Sequence, residues 1–194
     1  MAKLYFRYGA MGSSKTANAL MVKHNYMEKG MKVLFLKPAI ENRDGKMKVK
    51  SRIGIESDCQ IVEDFFNDKT KLLQDKLKDV SCVIVDEAQF LDPLYVDVLA
   101  DTVVDYLNIP VICYGLRTDF EGYLFDGSKR LMEVADVIEE IPTVCWCGKK
   151  AKFNARICNG KKVTSGEQIM MGGNESYVSL CRKHFKEGKI ANED

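Results

Sequence analysis

The chain has 194 residues, 46% of them hydrophobic and 29% charged, with a net charge of +1. That length suits one α/β domain with a small appendage, and near-neutrality argues against the basic face that grips nucleic acid. No apolar run reaches membrane-spanning length, the opening residues 1–5 lack a signal-peptide pattern, and the seven cysteines point to reduced thiols and metal, so a cytoplasmic setting without membrane or nucleic-acid partner is expected.

Residues 4–8, Leu-Tyr-Phe-Arg-Tyr, read as a buried strand that runs into Gly9-Ala10-Met11-Gly12-Ser13-Ser14-Lys15-Thr16 and then a helix over 17–29. Strand, small-residue loop, Lys-Thr and helix is the order of a P-loop. Its backbone N–H groups and the helix's positive end would close around phosphate oxygens, with Lys15 reaching the β/γ-phosphates and Thr16 offering its hydroxyl to Mg²⁺. Ser14 stands where the pattern asks for its second glycine, which serine tolerates only if the position avoids positive φ or the loop absorbs the strain. The helix takes Leu20, Met21 and Met27 as its apolar positions and stops at Gly30.

A second buried strand spans 32–36, halted by Pro38. Residues 41–52 form a polar, mostly basic loop with a turn signal at Asp44-Gly45, open to two readings: a solvated mobile loop, or one with a role near the nucleotide's phosphates. A short strand at 59–62 precedes an amphipathic helix over 63–79, with Phe65, Phe66, Leu72, Leu73 and Leu77 inward. The apolar strand 82–85 ends in Asp86-Glu87-Ala88-Gln89. An Asp there can hold Mg²⁺ and its neighbouring Glu can take a proton from the group attacking the γ-phosphate; solvating a strand end is the plain alternative. Asp92-Pro93 caps a helix over 93–107, and a further buried strand covers 111–114.

Strands that are apolar throughout and alternate with helices call for a parallel, doubly wound sheet, with ligands at its carboxyl edge. Cys59, Cys82 and Cys113 belong to its core, and His24 is structural or at the surface. A glycine-punctuated aromatic stretch over 115–127, a helix over 128–135 and a strand over 137–141 complete the first domain, 1–141. Pro142 opens a second unit, 142–194, in which cysteine, glycine and the only tryptophan concentrate. Cys145 and Cys147, then Cys181 and His184, have the paired arrangement of a structural zinc site; Cys-x-Cys is tighter than the usual spacing, and Cys158 is a spare ligand.

Taken together, Gly-Ala-Met-Gly-Ser-Ser-Lys-Thr, Asp-Glu-Ala-Gln-Phe, Tyr-Gly-Leu-Arg-Thr-Asp-Phe-Glu-Gly-Tyr-Leu-Phe, Cys-Trp-Cys-Gly-Lys-Lys-Ala, Gly-Gly-Asn-Glu-Ser-Tyr and Cys-Arg-Lys-His resemble the cytosolic-type (type II) thymidine kinases. The resemblance implies a RecA-like P-loop domain with a zinc-binding lobe, a homotetramer, and transfer of the γ-phosphate of ATP to the 5′-hydroxyl of thymidine. It implies Glu87 as general base, with Gly9 to Thr16 and Asp86 to Gln89 serving ATP and Mg²⁺. A lasso loop around 161–177 would cover the thymine, Met170, Met171, Gly172 and Gly173 lying along the base with Tyr177 beside it, and Phe120 and Phe125 walling the nucleoside pocket. Arg43 and Arg52 match basic positions near the phosphates. The readings set against it are a nucleic-acid-dependent P-loop ATPase, suggested by Asp-Glu-Ala-Gln, a non-enzymatic zinc-ribbon binding module, and a kinase of another nucleoside.

Overall fold

The computed structural model describes residues 1–41, 45–170 and 176–192. Six parallel strands build its central sheet: β1 (Leu4–Tyr8), β2 (Lys32–Lys37), β5 (Gln60–Ile61), β6 (Val80–Val85), β7 (Val111–Gly115) and β8 (Val137–Glu140), in the order β5-β2-β6-β7-β1-β8. The small elements β3 (Lys48–Lys50) and β4 (Glu56–Asp58) pair antiparallel outside it.

Alternation along each strand divides the core in two. On one face Val83, Val85, Val111 and Cys113 pack with Leu4, Phe6, Leu34 and Leu36 under α2 (Val62–Asn67), α4 (Pro93–Asp97) and α5 (Asp126–Val134). On the other, Cys82, Ile84, Ile112 and Tyr114 meet Ala19 and Leu20 of α1 (Lys15–Met27). Helices on both faces of an all-parallel sheet make the doubly wound architecture that apolar strands predict. Cys59, Cys82 and Cys113 are buried, as expected.

Four local expectations need correction. The helix read over 63–79 is two short ones, α2 and α3 (Leu73–Leu77), and Leu72 between them faces solvent. Asp68 Oδ1 accepts the Thr70 N–H, and such an aspartate turn offers the backbone an alternative to the helix. Met21 and Met27 are exposed while Leu20 is buried, so the seam of α1 is narrower than its apolar content suggests. The helix begun by Asp92, whose side chain accepts from the Leu94 N–H, widens after Asp97 into a π-helical stretch, Val98–Tyr106. The polar segment read as a loop supplies β3, the first strand of the β3–β4 hairpin, and buried Lys37 ties it to the end of β2 by donating to the carbonyls of Gly45 at 2.8 Å and Lys48 at 2.6 Å. Asp44 of the expected turn lies outside the described residues.

Beyond β8 the chain forms β9 (Thr143–Val144), β10 (Lys150–Ala151), β11 (Phe153–Cys158), β12 (Lys161–Lys162), β13 (Tyr177–Leu180) and α6 (Arg182–Glu187). Antiparallel β12-β11-β13 packs Ala155, Leu180 and Phe185 around Cys145 and Cys181 in a small core of its own. Among the described residues no helix is long and apolar enough to cross a membrane.

Candidate active site

The sheet order determines what can meet. β7 lies between β1 and β6, so the loop after β1 and the acidic pair after β6 face each other across the carboxyl end of β7. Gly9 N–H donates to Gly115 C=O at 3.2 Å, fastening the phosphate loop to that end. A Cβ on Gly9 would stand 2.4 Å from the Ile141 carbonyl oxygen, so only glycine fits there.

The loop then turns through Gly12 at φ +77° and Ser14 at φ +60°. The second glycine's position therefore does require the left-handed region, and Ser14 holds it under strain. Ser14 is also the residue before α1, and it makes no side-chain cap. The first turn of α1 carries no acidic residue, leaving its N-terminal N–H groups and positive pole for an anion. Lys15 is buried, its Nζ donating to the carbonyls of Gly9 (3.1 Å) and Ala10 (3.0 Å).

Thr16 Oγ1 donates to Asp86 Oδ2 at 2.8 Å, joining the two motifs directly. Burial, and then the neighbouring charge of Glu87, push the Asp86 carboxyl up to about 7. Glu87 itself sits at φ +51°, a second left-handed non-glycine residue in the site. Gln89 fixes its carboxylate: Gln89 Nε2 donates to Glu87 Oε2 at 2.6 Å, while Gln89 Oε1 accepts the Leu116 N–H at 2.9 Å. Because a backbone N–H can meet only the oxygen of an amide, that second bond decides which end of Gln89 faces Glu87.

Lys15 and Glu87 line one cavity of about 580 Å³. Met11, Gly12, Ser14 and Thr16 share it, and so do Gln89, Phe120, Phe125, Met170 and Tyr177. Gly9, Ala10, Ser13, Asp86 and Ala88 lie buried behind that lining. Arg52 reaches the cavity from the β3–β4 hairpin, with Nη1 3.7 Å from where a Cβ on Gly12 would stand. Arg43, Met171, Gly172 and Gly173 lie outside the described residues. Phe90 and Phe125 meet edge to face at 5.6 Å in the apolar wall.

Sequence reasoning missed several members of this site. Asp119 Oδ1 gathers the N–H groups of Glu121, Gly122 and Tyr123, each at 2.9 Å, and its Oδ2 accepts from Gln168 Nε2 at 2.8 Å. Asn154 and Gln168 line the cavity, and Arg156 is buried beside Phe120, its guanidinium 3.8 Å from the ring centroid. Polar Asn154 and Arg156 on either side of Ala155 in a strand were the signal available, since residues two apart share a face.

The Cys/His residues converge away from the cavity. One ligand atom from each of Cys145, Cys147, Cys181 and His184 lies within 4.8 Å of all the others. Cys145 Sγ is 3.4 Å from His184 Nδ1, and Cys147 Sγ is 4.0 Å from Cys181 Sγ. A tetrahedral ion about 2.3 Å from sulfur and about 2.0 Å from nitrogen sets edges of about 3.5–3.8 Å, so the donor set fits a closed metal site. The short Cys-x-Cys spacing does not prevent convergence, and Cys158 is exposed. The His184 N–H, first among several hydrogen bonds, holds the Cys181 thiol below its ordinary pKa, toward the thiolate a metal takes. Trp146 stacks on His184 at 4.1 Å.

A family model described as Thymidine kinase matches residues 2–185. A protein of Shewanella oneidensis named Thymidine kinase is 47% identical over 193 residues, covering 96% of this chain and 98% of that one. One of Enterobacteria phage T4 with the same name is 49% identical over 189 residues, covering 96% and 97%. Among solved structures, Bacteroides Pif1 bound to single-stranded DNA aligns with a TM-score of 0.45 at 14% identity, over 72% of this chain and 38% of that one.

Proposed function

Given that the chain belongs to the thymidine kinase family, we propose that its cavity seats ATP at the phosphate loop and thymidine against Phe120, Phe125, Met170 and Tyr177, with Glu87 between them. The protein is an ATP-using kinase that phosphorylates thymidine. The family match over residues 2–185 disfavours both the nucleic-acid-dependent ATPase and the binding module.

The observation that carries the site assignment is the single cavity lined by both Lys15 and Glu87. A 5′-hydroxyl is a weak nucleophile, and phosphoryl transfer passes through a loose transition state in which little bond to it has formed. Positioning and charge neutralisation therefore supply most of the acceleration. Lys15 and the N-terminus of α1 hold the transferring phosphoryl group, Arg52 adds positive charge beside Gly12, and Glu87, aimed by Gln89, orients the hydroxyl and accepts its proton late. Thr16 and Asp86 are the residues to hold Mg²⁺, which would neutralise the phosphate oxygens. Phe90, Phe120 and Phe125 exclude water, which would otherwise hydrolyse ATP.

Cys145, Cys147, Cys181 and His184 take a structural Zn²⁺, which stabilises a lobe too small to rest on its own core. A homotetramer and a cytoplasmic setting belong to the same proposal, from family likeness alone. Transfer of labelled phosphate from ATP across a nucleoside panel tests the reading: thymidine is phosphorylated and cytidine and the purine nucleosides are not. Nucleic-acid-stimulated hydrolysis without transfer to any nucleoside would overturn it.

A further inference from the structure

One face of the β11–β13 ladder meets the cavity at two successive cross-strand pairs. Asn154 and Ser179 are direct partners in that ladder, and so are Arg156 and Tyr177. Residues two apart on a strand share a face, about 7 Å from each other. The first pair grips the phosphate loop: Asn154 Oδ1 accepts the Met11 N–H at 2.7 Å, and Ser179 Oγ donates to the Met11 carbonyl at 2.5 Å. With both polar backbone groups of Met11 held by opposed strands, the residue cannot rotate without breaking one bond. Thr143 Oγ1 adds a third, to the Gly12 carbonyl at 3.2 Å.

The second pair grips the chain that covers the nucleoside end. Arg156 donates to the carbonyls of Glu167 at 2.8 Å and Gln168 at 3.1 Å, and to Tyr177 Oη at 3.0 Å. Tyr177 Oη in turn donates to the Met170 carbonyl at 2.8 Å. Ala155, between Asn154 and Arg156, faces the other way, into the core around Cys145 and Cys181. Phosphate loop and nucleoside cover are thus fixed to one short ladder, whose far side is braced by the Cys/His cluster.

We propose that Asn154, Ser179, Arg156 and Tyr177 are positioning residues that make the phosphate loop and the nucleoside cover a single mechanical unit, so that ATP and thymidine bind with positive coupling. This rests on the reading of the cavity as the joint ATP and thymidine site. Thymidine seated against Met170 and Tyr177 would, through this ladder, hold Met11 and Gly12 in the conformation that ATP needs, and the converse follows by linkage.

The test is calorimetric titration of a non-hydrolysable ATP analogue with and without saturating thymidine. In wild type thymidine tightens the analogue by about fivefold or more, the lower end of usual couplings. Ser179→Ala and Asn154→Ala bring that ratio toward one, while Ser179→Thr, which keeps the hydroxyl, preserves it. Tyr177→Phe, which removes the bonds to Arg156 and to the Met170 carbonyl, serves if either alanine variant has lost its cooperative melt, and it too lowers the ratio. A wild-type ratio of one, or alanine variants that bind more weakly but keep the wild-type ratio, would overturn the coupling while leaving the kinase reading intact. A wild type that binds neither ligand would overturn both.

Discussion

Two residues in the site hold left-handed backbone without being glycine, Ser14 at φ +60° and Glu87 at φ +51°. Such conformations cost about 1–3 kcal/mol each and persist where surrounding contacts over-determine them. At Glu87 the strain has a use, because it turns the carboxylate off the end of β6 toward the cavity, where Gln89 catches it. At Ser14 no side-chain bond offsets it at the helix start. Ser14→Gly should therefore raise the melting temperature by about 2–4 °C with transfer activity retained; a lower melting temperature would mean that the hydroxyl contributes more than the strain costs. Asp86 gives a pH prediction. Its folded pKa, raised to about 7 by burial and then by Glu87, lies above the unfolded value of about 3.9, so the folded chain binds the proton more tightly. The associated stability is present below about pH 4 and is lost as pH rises through about 7. In the ligand-free protein, melting curves for wild type and Asp86→Asn should move against each other, wild type losing ground between pH 5 and pH 8. A constant gap would show that Asp86 is ionised throughout.

The turn that presents Glu87 depends on the elements around it. Gly115 at the end of β7 leaves room for Gln89, since a Cβ there would stand 2.8 Å from Gln89 Oε1. Gly127 lets α5 start against the same turn, its Cβ position lying 2.7 Å from the carbonyl oxygens of both Ala88 and Leu91. Backbone atoms cannot step aside as a side chain does. Gly127→Ala is therefore expected to cost about 1–3 kcal/mol, read as a lower melting temperature, and to reduce turnover by displacing Glu87. Unchanged turnover would separate α5 from catalysis. The elements legible in the sequence were the central strands: β1, β2, β6 and β7 are mostly apolar and mostly buried runs, and the phosphate loop and Asp86-Glu87 follow β1 and β6 directly. The β3–β4 hairpin was not legible, because a three-residue strand such as Lys48–Lys50 has one apolar residue, Val49, too few to show a period, and is held from outside by Lys37. The break between α2 and α3 was hidden for a related reason: Leu72 fits the helical period, and only the Asp68 side chain bonding to Thr70 interrupts it.

At the scale of the whole molecule, the cavity gathers side chains from Met11 to Tyr177, most of the chain's length. Parallel order explains half of that assembly, bringing the ends of β1, β6 and β7 together. The other half comes from the antiparallel lobe, which supplies Asn154, Gln168, Met170 and Tyr177. Likeness to a family pointed to Met170 and Tyr177, whereas Asp119, Asn154 and Arg156 emerge only when the two parts are packed together, where Asp119 Oδ2 meets Gln168, Asn154 meets Met11 and Arg156 lies over Phe120. The central claim is that Glu87 accepts the proton of the attacking hydroxyl in the cavity where Lys15 holds the phosphates. Single-turnover transfer from labelled ATP to thymidine, run on wild type and Glu87→Gln beside calorimetric ATP binding, tests it most directly. Glu87→Gln should keep ATP affinity within about twofold and lose transfer by about 10²-fold or more, whereas a loss below about tenfold would contradict the account and place the base elsewhere.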